Sequence, residues 1–150
     1  MRARIHALAG AVALLTIAAF WCSTLVAELF LYGTAVAQVK TGILYGMFLL
    51  VPALMVTAGS GFSLAGERGG ALVSAKKRRM PFIAANGLLI LLPAAFFLQA
   101  KAVAGELDRC FYAVQVLELL AGGANLVLMG LNFRDGLRLR IQTASRFPRP

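Results

Sequence analysis

A chain of 150 residues that is 60% hydrophobic and only 14% charged holds more apolar side chain than one water-soluble core can bury, since soluble domains carry about 25% charged residues. With a mean hydropathy of +0.80, the sequence reads as all-α: a polytopic membrane protein whose single domain, residues 1–150, is a four-transmembrane-helix bundle. The net charge of +9 is not that of a nucleic-acid binder, because no module of aromatic and basic surface residues accompanies it.

Arg2 and Arg4 open the chain, and the first apolar run covers residues 8–32. Each such run approaches the roughly 20 residues that a helix needs to cross about 30 Å of hydrocarbon at 1.5 Å per residue. Period-2 alternation, the mark of a barrel strand, is absent. The run ends near Leu25-Val26-Ala27, but it is longer than a signal-peptide core and Leu25 is a poor cleavage-site residue, so an uncleaved span is expected. Trp21 falls about mid-span, where its indole N–H calls for a partner.

A short outer connection, residues 33–40, leads to a second span over residues 41–64. Gly42 and Gly46 form a GxxxG pair that permits close helix packing, and Pro52 removes a backbone hydrogen bond inside the span. Residues 65–80 read as a basic cytoplasmic loop that contains Arg68, Lys76, Lys77, Arg78 and Arg79. Gly66, Gly69 and Gly70 lie near these charges, but no GxxxxGK[ST] pattern or preceding strand supports a nucleotide loop.

The third span covers residues 81–100, with Pro81 in its first turn, Asn86 one turn further and Pro93 inside it. After a second outer connection, residues 101–109, the fourth span runs over residues 110–133 and carries Gln115, Glu118, Ala121, Gly122, Gly123, Ala124 and Asn125. The tail, residues 134–150, begins with Arg134, Leu137, Arg138, Arg140 and Ile141, a basic amphipathic pattern expected to lie on the membrane surface.

Orientation follows from the charges. This threading puts 12 of the 15 Lys and Arg on the side of both termini and leaves Lys40, Lys101 and Arg109 on the other. The positive-inside rule makes the rich side cytoplasmic. Arg68, Lys76, Lys77, Arg78, Arg79, Arg134, Arg138 and Arg140 are then placed to meet anionic lipid headgroups or a protein partner. Phe30, Tyr32, Phe96, Phe97, Phe111 and Tyr112 near the outer face, with Phe62, Phe82 and Phe133 near the inner, fit interfacial belts.

The polar residues inside the spans are the candidate site: Glu118 foremost, with Glu28, Gln115, Asn125 and Asn86. A carboxylate in hydrocarbon is costly unless it is paired, protonated or facing water. Gln115 and Glu118 share a helix face at i, i+3. Glu28 and Glu118 fall within about 6 Å of the same depth at 1.5 Å per residue, close enough to share a proton if their helices pack together. The alternative is that Glu28 bonds Lys40 near the headgroups while Glu118 is a neutral or hydrogen-bonded packing residue. Gly42, Gly46, Gly122 and Gly123 are the expected helix-packing positions.

Cofactor chemistry has little support. The single histidine, His6, together with Met80 or Met129, is the one arrangement that admits a haem, and bis-His ligation is impossible. Cys22 and Cys110 lack CxxC spacing, and no metal site is expected. His6 has no candidate nucleophile at its level, so catalysis by this chain alone is not expected. The sequence points to a non-catalytic accessory subunit of a larger assembly in a bacterial-type inner membrane, with lipids and other subunits or further copies of itself as partners and no nucleic acid. A small proton-coupled transporter using Glu118 and Glu28, and a lipid or quinone binder at kinked helices 2 and 3, are the alternatives.

Overall fold

The computed structural model describes residues 2–66 and 71–146. Helix α1 spans Arg2–Phe30, α2 Thr34–Gly66, α3 Ala71–Asn86, α4 Leu92–Val103 and α5 Arg109–Arg146, with a π turn at Gly87–Leu91 joining α3 to α4. Four of the resulting rods are long and apolar enough to cross a membrane: Ala3–Phe30, Thr34–Gly61, Val73–Val103 and Arg109–Arg138. Even the shortest, at 28 residues, extends about 42 Å at 1.5 Å per residue, more than a hydrocarbon core requires.

The π turn has a local cause. Pro93 has no N–H to continue the α-helical ladder, and just before it the N–H of Leu92 bonds to the carbonyl of Gly87, five residues back. The wider turn lets the rod pass the proline without ending. Pro52 lies inside α2, which stays helical on both sides.

Neighbours in sequence are neighbours in space. α1 packs on α2 and α5, α2 on α4, and α5 on α3 and α4, which closes a ring. Among the described residues α2 and α5 share no close backbone approach, so they stand diagonally across the bundle. Inside, Ala13, Ile17, Leu50, Ile83 and Met129 form one apolar cluster, and Val36, Leu98, Ala102 and Phe111 form another toward the α1–α2 and α4–α5 turns. The outer surface is apolar as well: Leu15, Tyr45, Leu89 and Leu120 project outward, and Phe48 is 81% exposed. Such a surface suits lipid and not water.

The connections are shorter than the sequence suggests. Gly33 turns the chain with a φ of 55° and α2 begins at Thr34. Residues 34–40, expected in an outer loop, are therefore helical, and Lys40 lies in the bundle interior. Gly105, with a φ of 73°, makes the second turn. There Lys101 Nζ holds Glu106 at 2.9 Å and Asp108 at 2.6 Å, while Asp108 Oδ1 accepts the Phe111 N–H at 2.9 Å and caps α5.

At the opposite end, the expected loop over residues 65–80 is mostly helix: α2 reaches Gly66 and α3 starts at Ala71, which carries Lys76, Lys77, Arg78 and Arg79 on helical backbone. Pro81 is accordingly interior to α3 and not in its first turn. Likewise the tail is no separate surface helix, since α5 runs unbroken to Arg146. Arg68 lies outside the described residues, as does the side chain of Arg140.

Small residues set the closest approaches. A Cβ on Gly46 would sit 2.5 Å from the Phe20 ring, and one on Gly122 would sit 3.1 Å from Trp21. Gly123 faces the Trp21 nitrogen more loosely, at 3.7 Å. Gly42 meets nothing within 4 Å. The GxxxG pair is thus not one packing face: Gly46 is filled by α1, whereas Gly42 opens outward.

Candidate functional site

Helix α5 carries its polar residues at heptad spacing. Glu118, Asn125 and Asn132 are seven residues apart, with Gln115 and Asp135 on either side of the series. A heptad on a helix advances about 10 Å and returns nearly to the same face, so α5 presents a polar seam with three levels. The first level bonds to α2 and the other two to α3.

Nearest the turns, Lys40 Nζ lies 2.7 Å from Glu118 Oε2; Lys40 is 1% exposed and Glu118 13%. The bond crosses the bundle diagonally from α2 to α5. Gln115 Nε2 donates to the same oxygen at 3.0 Å. Glu28, on α1, interacts electrostatically with both Lys40 and Glu118. Its Oε1 is buried and has no hydrogen-bond partner among the described residues, and neither has Gln115 Oε1. The alternative in which Glu28 bonds Lys40 is therefore corrected: Glu118 takes the lysine, and it is hydrogen-bonded as that alternative expected. Helices α1 and α5 do pack together, which brings the two glutamates to one cluster.

One level along, Asn86 Nδ2 donates to Asn125 Oδ1 at 2.9 Å and to the Ala121 carbonyl at 2.8 Å. Asn86 immediately precedes the π turn, so this pair fixes α3 against α5 where the third rod changes its winding. Trp21 ties α1 to the same helix, its Nε1 donating to the Leu119 carbonyl at 2.9 Å. The mid-span indole has the partner its depth requires.

At the basic end, Arg79 Nη1 bonds Asp135 Oδ2 at 2.7 Å and Asn132 Oδ1 at 3.3 Å, while Arg134 Nη2 reaches Asp135 Oδ1 at 3.2 Å. Asp135 is 2% exposed. Arg79 is thus turned inward, and among the described residues Arg4, Lys77, Arg78, Arg134 and Arg138 are exposed cations of this end. His6 Nδ1 lies 3.1 Å from the Thr57 carbonyl and 3.0 Å from Ser60 Oγ, a link between α1 and α2. Met80 Sδ accepts from Asn132 Nδ2 at 3.7 Å, and Met129 belongs to the apolar cluster with Ile83. Cys22 and Cys110 are both free and exposed, so Cys22 lies on the outer surface of the bundle and not within it. Among the described residues no three His, Cys, Asp or Glu come together as a metal site.

Asn132 and Asp135 are the site residues that sequence reasoning missed, and Lys40 was paired with the wrong glutamate. Lys40 was assigned to a loop, and Asn132 and Asp135 straddled a span boundary. The heptad series Glu118, Asn125, Asn132 was the signal that extends the seam. One open groove of about 460 Å³ lies on α2 near the turns, lined by Gln38, Thr41, Gly42, Tyr45 and Val103 among others. Its lining comes from α2 and, through Val103, from the third rod, the two between which a lipid or quinone site was expected. No family model, curated protein or solved structure matches the chain.

Proposed function

We propose that this chain is a non-catalytic integral membrane subunit, a structural or accessory component of a larger assembly in a bacterial-type inner membrane, with both termini cytoplasmic. The observation that carries the reading is the use of the interior polar groups. Lys40–Glu118, Asn86–Asn125 and Arg79–Asp135 are each spent on joining two helices. Such bonds give register to rods that hydrophobicity alone cannot sort in lipid. The outward face then remains for lipids and neighbouring subunits, with Lys77, Arg78 and Arg138 set to meet anionic headgroups. Purification from native membranes in mild detergent tests this: partner subunits are expected to stay bound in fixed stoichiometry. An isolated monomer with full biological activity in liposomes contradicts it.

A second reading, a small proton-coupled carrier, is favoured by the unpartnered Glu28 oxygen beside the Lys40–Glu118 pair. A homodimer with pH-driven flux in vesicles supports that reading in place of the first.

A further inference from the structure

The cluster formed by Glu28, Lys40, Gln115 and Glu118 has two separate deficits. The first is charge. Lys40 contributes one positive charge and the two glutamates two negative charges, and the pair at 2.7 Å leaves Glu28 as the excess. The charged groups that face Glu28 are Lys40 from α2 and Glu118 from α5, the two helices on which α1 packs. Lys101, the other lysine toward the turns, is bonded to Glu106 and Asp108. An uncompensated carboxylate inside a bundle set in lipid is costly.

The second deficit is in donors. Glu28 Oε1 and Gln115 Oε1 are buried without partners among the described residues, and Gln115 is 2% exposed. Both atoms are acceptors, and an ionised carboxylate has no proton to offer. A water molecule would satisfy acceptors but not charge. A metal cation would satisfy both at the cost of sitting beside the Lys40 ammonium. One proton on Glu28 removes the excess charge and converts an orphan acceptor into a donor.

We propose that Glu28 is a proton-binding site, whose carboxyl group carries one exchangeable proton beside the Lys40–Glu118 pair and Gln115. The proton comes from water and returns to it, so the step needs no co-reactant. This deepens the carrier reading without depending on it, because a site that binds a proton need not move one across the membrane. The role of Glu118 also changes: it is the standing counter-ion of Lys40, and Glu28 is the group that titrates.

Infrared spectroscopy of the whole chain in lipid nanodiscs reads this directly. At neutral pH the wild-type protein is expected to show the C=O stretch of a protonated carboxyl, shifted in D2O. Glu28→Gln abolishes the band, and because the amide mimics the neutral acid, its unfolding midpoint stays at or above the wild-type value. Glu118→Gln also abolishes it, since Lys40 then balances an ionised Glu28. Lys40→Met doubles it, as both glutamates take protons. A wild-type spectrum without the band overturns the proposal, as does a Glu28→Gln variant that keeps it. A sodium-dependent change with no carboxyl band likewise overturns it, in favour of a metal cation. A proton-flux measurement in vesicles is a separate readout, so a sealed bundle with a protonated Glu28 defeats the carrier reading and leaves the proton site standing.

Discussion

Lys40 reaches across the bundle to Glu118, and the 2.7 Å bond between them joins two helices whose backbones do not touch. A long, flexible stem makes this geometry available; the stem packs along apolar neighbours while the ammonium meets the carboxylate. The pair therefore acts as a strut between diagonal helices, where van der Waals packing cannot serve. Removing Lys40 leaves a buried Glu118 that must either stay charged without its partner or take up a proton, at a cost of up to about 3–5 kcal/mol, whereas replacing both partners by apolar groups is often neutral. Lys40→Met is expected to lower the unfolding midpoint in detergent sharply, and Lys40→Met with Glu118→Leu to recover most of the loss. A single and a double variant of equal stability would remove the strut.

The two glycines of the GxxxG pair separate in the same assay. Gly46 lies against the Phe20 ring so closely that an alanine methyl must displace it, and overpacking of this kind costs about 1–3 kcal/mol. Gly42 has open space, and alanine there adds helix propensity of up to about 1 kcal/mol. Gly46→Ala should destabilise the bundle, Gly42→Ala should leave it unchanged or firmer, and Phe20→Leu should rescue Gly46→Ala. Equal effects at the two positions would return both to a single interface.

The four apolar rods and the shared polar face of Gln115, Glu118 and Asn125 were legible in the sequence because hydropathy over 20 residues and i, i+3 spacing are local signals. The ends of the rods were not. Lys40 looked like a loop residue because a charge normally closes a span, and only its diagonal partner makes burial affordable. The run Lys76–Arg79 looked like a loop for the same reason, although helical backbone continues through it. Asp135 was hidden among the cations of the tail, whose Arg134 joins Arg79 to neutralise it. Pairing across helices is information that no single segment contains.

Acid should loosen the α4–α5 turn at a defined point. Asp108 accepts bonds from the Lys101 ammonium and the Phe111 N–H, and these hold its carboxyl below the ordinary value, the lysine bond being the larger cause. A carboxyl lowered on folding contributes stability that is complete above the unfolded value and is lost as pH falls through the folded one. The loss therefore sets in below about pH 4. Asp108→Asn keeps a capping oxygen but no charge, and Asp108→Ala keeps neither. Hydrogen exchange at the start of α5 should rise in the order wild type, Asp108→Asn, Asp108→Ala at neutral pH, and in acid the wild type should converge on Asp108→Asn. Wild-type protection that stays constant from neutral pH into strong acid would exclude this role.

The cysteines give a test of threading that needs only one new cysteine. Cys110 is exposed beside the α4–α5 turn, and Cys22 is exposed eight residues before the end of α1, about 12 Å into the rod at 1.5 Å per residue. With the basic end cytoplasmic, a membrane-impermeant maleimide added to intact cells should label Cys110 and spare Cys22, which faces lipid. A cysteine at Lys77, in a Cys22→Ser, Cys110→Ser background, should react only after the cells are opened. The test turns on charge: Lys77, Arg78 and Arg138 sit exposed at one end, and carrying them across a bilayer is what the positive-inside rule forbids. Labelling of the Lys77 position from outside would invert the bundle, place both termini on the far side, and remove the headgroup role assigned to these cations.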